Sequence, residues 1–135
     1  MTTSDSLEAR ADKARQALRQ LAHGTRHIED PTQIYAILGD LSNGLVSFAQ
    51  SLHQIAAFHD APGRGHVQLA GDARAGRATS YQVAWELHRA AEMLAQGAKA
   101  LDKAHELEAT ITYDLREADL SIETPRTQRG RGLSL

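Results

Sequence analysis

From Pro31 to His59 the chain carries neither lysine nor arginine and a single acid, Asp40, although the sequence on either side is densely charged. Within this stretch Ile34, Leu38, Leu41, Leu45, Phe48, Leu52, Ile55 and His59 recur at alternating intervals of four and three. That rhythm averages 3.5 residues, so on an α-helix these side chains form one continuous stripe. A helix that does without charge is covered on more than one side, by its own chain or by a partner. Its opposite side repeats the message. Ala36, Asp40, Asn43, Ser47, Gln50, Gln54 and Ala57 are small or neutral polar residues, where a solvent face normally carries Lys and Glu. The stripe and the neutral polar residues Asn43, Ser47, Gln50 and Gln54 are therefore both assigned to self-association.

The boundaries of this helix are written in the flanking residues. Asp30 supplies a cap, Pro31 suits the first helical position, and Gln33 stands at the third. Asp60-Ala61-Pro62-Gly63 ends it. Upstream, Asp5 and Glu8 form a capping-box pattern, and Leu7, Ala11, Ala14, Leu18 and Leu21 mark a narrow stripe ending at Gly24. This predicts a short helix over about 6–23. Downstream, Thr79 and Gln82 form another capping box, followed by Val83, Leu87, Ala90, Leu94, Gly97, Leu101 and Ala104 in the same rhythm. The third helix is expected over 79–119, although Ala109 to Leu115 alternates with period two and reads locally as a strand.

Twenty-three alanines against six aromatic residues favour closely packed helices over a sandwich or barrel. The resulting expectation is an all-α, three-helix antiparallel bundle with two long helices and one short N-terminal helix. Two unequal long helices are better covered by a second copy, which predicts a homodimer. Residues 1–120 form the helical domain and 121–135, with Arg126, Arg129 and Arg131, a disordered tail.

Several function classes lose support. A net charge of −2 gives no global field for nucleic acid or anionic lipid, leaving only the tail arginines for a few phosphate contacts. There is no cysteine, hence no disulfide, thiol catalysis or thiolate metal site. Leu41 to His59 has about the length of a membrane span, but Ser42, Asn43, Ser47, Gln50, Ser51, His53 and Gln54 would have to leave water. Residues 1–19 lack the apolar core of a signal peptide, so the expected compartment is the cytoplasm. The arginine and alanine bias fits a GC-rich, actinobacterial type of genome.

Three places carry candidate chemistry. Tyr81, Trp85, His88 and Glu92 line the polar side of the third helix and form a candidate partner surface, because Trp and Tyr remove large areas from water with few rotors. The Gly- and Arg-containing connection 60–78 leads toward a helix N-terminus, where Arg74, Arg77, Thr79 and Ser80 form a candidate anion site. Among the seven histidines, His23 and His27, and also His88 with Glu92 and Asp102 with His105, have one-turn spacings that metal sites use. The second helix has no Glu, however, which excludes a ferritin-like di-metal set, and neither a metal nor a cofactor is expected.

A helical hairpin followed by Tyr113-Asp-Leu-Arg-Glu117 resembles the WXG-type substrates of actinobacterial type VII secretion, which carry a Tyr-x-x-x-Asp/Glu signal after their hairpin. The resemblance implies that Tyr113 and Glu117 serve export by a non-classical route. This chain has no Trp-x-Gly between its helices, and its connection is longer than a turn. The expected function is thus a non-enzymatic, oligomeric helical-bundle interaction or scaffold protein. The alternatives are a substrate or accessory protein of type VII-like secretion, and a small-ligand- or metal-binding bundle.

Overall fold

The computed structural model describes residues 6–61 and 71–114. Three α-helices account for most of them: α1 (Leu7–Gly24), α2 (Ile34–Asp60) and α3 (Ala73–Glu108). Among the described residues there is no strand, and no helix is long and apolar enough to cross a membrane. The chain divides into two units, one reaching Thr32 and one starting at Gln33.

The first unit is α1. Ser6 caps it, its Oγ accepting from the Ala9 amide at 3.0 Å; the expected cap, Asp5, lies outside the described residues. The helix is held by local charge. Arg15 donates to Asp12 at 2.7 Å and Gln16 donates to the other Asp12 oxygen at 2.7 Å, and no residue of α1 is buried.

Ahead of the second unit the Asp30 carboxylate accepts from the Thr32 amide at a single 3₁₀ turn over Pro31–Gln33; the first helix of the second unit, α2, begins at Ile34, three residues after the expected first position, with Gln33 as its N-cap and no side-chain cap. The start of α3 is a correction. It begins at Ala73, six residues before the expected boundary, because Asp72 accepts from the Arg74 and Ala75 amides and Gly71 makes the preceding turn at φ +82°. The capping box at Thr79 and Gln82 therefore lies inside the helix. The end is a second correction: α3 stops at Glu108, not near 119. Thr110, Ile111 and Thr112 are β-branched and poor helix formers. The Thr110 amide bonds back to Leu107 and the Ile111 amide to Glu108, tightening the last turn until the chain leaves it.

The core of the unit is the contact between α2 and α3. Its partners run in opposite order along the two helices: Tyr35 stacks on His105, Ser42 meets Asp102, His53 meets His88, and His59 meets Ser80. The buried residues are all small. On α2 they are Ser42, Ala49 and Ala56, and on α3 Gly76, Ser80, Ala84, Ala91 and Ala98. The heptad interval recurs at 42, 49, 56 and at 84, 91, 98, so each helix presents a line of alanine and serine to the other. Side chains of this size let helix axes approach to the lower end of the usual 8–10 Å range.

This contact line is not the stripe the sequence advertises. On α2 it runs through Ser42, Ala49 and Ala56, less than one residue step (~100°) away from the midline of the leucine stripe. Leu38, Leu45 and Leu52 flank it and are half-buried, whereas Phe48 and Ile55 remain 49% and 50% exposed. The same displacement occurs on α3, where Ala91 is fully buried and its neighbour Ala90, a member of the expected stripe, is not. A pair of helices has one contact line, and the small residues occupy it.

Candidate functional site

Because alanine rather than leucine fills the contact, the hairpin keeps two distinct long faces. One carries the leucine stripe. Helical position puts Ile34, Leu38, Leu41, Leu45, Phe48, Leu52 and Ile55 of α2 beside Val83, Leu87, Ala90, Leu94, Gly97 and Leu101 of α3, and Leu45 Cδ1 lies 3.6 Å from where a Gly97 Cβ would stand. No lysine, arginine, aspartate or glutamate interrupts this set. None of its members is fully buried, and no side chain larger than serine is buried anywhere among the described residues.

The other face is a shallow groove bordered by Val46, Gln50, His53, Gln54, Ala57, Ala95, Lys99 and Asp102. Its polar groups bridge the helices. The Ser42 hydroxyl donates to Asp102 Oδ1 at 2.5 Å, with the Ala98 carbonyl at 3.3 Å. His53 Nδ1 lies 2.7 Å from His88 Nδ1, His88 Nε2 lies 3.2 Å from Asp60 Oδ2, and His53 Nε2 lies 3.5 Å from Glu92 Oε1. At the end of α2 the Ser80 hydroxyl donates to the His59 carbonyl at 3.2 Å and sits 2.8 Å from His59 Nδ1. Asn43, Ser47, Gln50 and Gln54 are all exposed, and Gln50 and Gln54 border this groove, away from the leucine stripe.

The candidate partner residues separate. Tyr81 and Trp85 line a shallow recess with Gln82 and Glu86, and Trp85 is 62% exposed with the Arg89 guanidinium 5.6 Å from its ring centroid. His88 and Glu92 instead belong to the histidine row of the groove. The anion site changes in kind. Arg74, Arg77, Thr79 and Ser80 lie within the first turns of α3 rather than in a loop before it, Ser80 is buried against His59, and the helix N-terminus is occupied by the carboxylate of Asp72.

At the far end of α3, Tyr113 lies beyond the helix and its hydroxyl donates to Glu108, which raises the Tyr113 pKa above its ordinary value because the bond and the adjacent carboxylate both oppose ionisation. Its signal partner Glu117, and the tail arginines, lie outside the described residues. His23 closes α1 and His27 follows it in the turn; both are exposed. The His53–His88 pair is the feature that sequence reasoning missed, because their separation of 35 residues becomes a contact only through the helix register. No family model, curated protein or solved structure matches this chain.

Proposed function

We propose that this protein is a non-enzymatic helical-bundle interaction module whose antiparallel α2–α3 hairpin is half of a four-helix core, completed by a second copy on the leucine face. The observation that carries this reading is the inverted core: the hairpin buries alanine and serine and leaves its leucines, Phe48 and Ile55 partly in water. Each half-exposed large side chain forgoes part of the ~1.5–3 kcal/mol that full burial contributes. A second hairpin set against the first recovers it, and the absence of charge removes the desolvation cost. Size is adequate as well. At 1.5 Å per residue, the 27-residue α2 is ~40 Å long. Two helices side by side present ~20 Å of width, giving ~800 Å² per copy, the area a standard stable interface buries on each partner.

In this reading the Tyr81–Trp85 recess lies outside the self-association face and is the surface offered to a different protein. The test uses residues that the single hairpin leaves exposed. Phe48→Glu and Ile55→Glu should lower the mass in solution to that of one chain while the helical circular dichroism is retained. Trp85→Ala should leave the mass unchanged. An unaltered mass in both glutamate variants refutes the assignment of this face.

A further inference from the structure

The histidine row in the groove has the layout of a metal clip. Each imidazole belongs to a different helix, and each has its Nε2 directed at a carboxylate: His53 at Glu92 across the hairpin, 3.5 Å away, and His88 at Asp60 across the hairpin, 3.2 Å away. The two Nδ1 atoms face each other at 2.7 Å, with the rings tilted by 38° and their centroids 5.0 Å apart. In metal centres an imidazole that ligates through one nitrogen donates its other N–H to a carboxylate, which fixes the tautomer and raises the basicity of the ligating atom. His88 has that arrangement with Asp60, and His53 Nε2 has the Glu92 carboxylate within 3.5 Å. If each Nε2 carries the proton given to its carboxylate, both Nδ1 lone pairs are aimed at the same point between the helices.

We propose that His53 and His88 bind one borderline divalent cation of the zinc type through their Nδ1 atoms, linking α2 to α3. Zn–N bonds of ~2.0–2.1 Å at a tetrahedral angle place two ligating nitrogens ~3.3 Å apart. The rings must therefore separate by ~0.6 Å from their present spacing. They have room to do so, since their side chains are 39% and 43% exposed. No three His, Asp or Glu side chains among the described residues surround a common point, so the protein supplies two ligands and water completes the shell. Lys99 and Asp102 lie further along the groove, and Asp102 is engaged by Ser42; His59 is engaged by Ser80.

The experiment is titration of the full chain with zinc chloride, followed by calorimetry and by histidine NMR. The expected result is one zinc per chain in the micromolar range, ring carbon shifts that report Nδ1 ligation, and a thermal midpoint that rises with zinc. His53→Gln and His88→Gln should each abolish binding and the thermal shift, with circular dichroism showing that the variants are folded. The double variant His23→Gln/His27→Gln should bind as the parent does. Should one groove variant fail to fold, the other carries the test. Absence of zinc binding, binding that survives in both groove variants, or ligation through Nε2 overturns the proposal.

Discussion

Ala90 and Ala91 are adjacent on α3, and enlarging each in turn separates the contact line seen in the structure from the stripe written in the sequence. Ala91 is fully buried on the line that faces α2, whereas Ala90 sits on the leucine face and is only partly covered. Ala91→Leu adds three carbon atoms where the helices are closest. Were there space, their burial would add ~2.4 kcal/mol of stability at ~0.8 kcal/mol per methylene. There is none, so α2 and α3 must separate along the line, lifting Ala49, Ala56, Ala84 and Ala98 out of contact together. Overpacking of this kind costs ~1–3 kcal/mol, and the whole hairpin, at ~0.05–0.15 kcal/mol per residue, has only several to draw on. With ~4–8 °C lost per kcal/mol in a domain of this size, the thermal midpoint should fall by ~4–24 °C. Ala90→Leu should cost less than ~1 kcal/mol at dilutions where the mass is that of one chain. Thermal and urea unfolding followed by circular dichroism read both. A stable Ala91→Leu protein beside an unfolded Ala90→Leu protein would refute the alanine contact line and return the leucine stripe to the intrachain interface.

Further predictions follow from single contacts. Asp72→Ala removes the cap that accepts from Arg74 and Ala75 and should cost ~0.5–2 kcal/mol, with amide exchange accelerated in the first turn of α3. Ser42→Ala deletes the bridge to Asp102 and the Ala98 carbonyl, at a cost of ~1–2 kcal/mol by denaturant unfolding, because the position is buried and the partners lose their donor. Tyr113 should ionise above the ordinary phenol range in an ultraviolet titration, and Glu108→Gln should bring it down. Its folded-state pKa is raised, so its bond to Glu108 favours the folded chain below the ordinary phenol value near ~10 and is lost as pH rises through the raised value. A Tyr113 that ionises in the ordinary phenol range, unmoved by Glu108→Gln, would contradict the bond.

The elements were legible because their signals are local. Asp30-Pro31, the uncharged run to His59 and Gly24 are punctuation that acts within a few residues; α1 falls where that punctuation puts it, and α2 starts three residues late because Pro31–Gln33 form a 3₁₀ turn first. At α3 two local signals competed, and Gly71-Asp72 prevailed over Thr79-x-x-Gln82 because a cap followed by Ala73, Ala75 and Ala78 lets the helix propagate upstream. Which face α2 turns toward α3 was not legible. Leucine at heptad spacing and alanine at heptad spacing are both present, and periodicity ranks them by hydrophobicity alone. The structure ranks them by how closely two backbones approach. The His53–His88 pair was hidden for a related reason: cross-helix neighbours depend on register, and register follows from the contact line.

Closure of the leucine face by a second copy is tested most directly by absolute mass from light scattering across a concentration series. The predicted result is about twice the 14.7 kDa chain mass, falling toward one chain only on strong dilution. A mass of one chain at every concentration would contradict it.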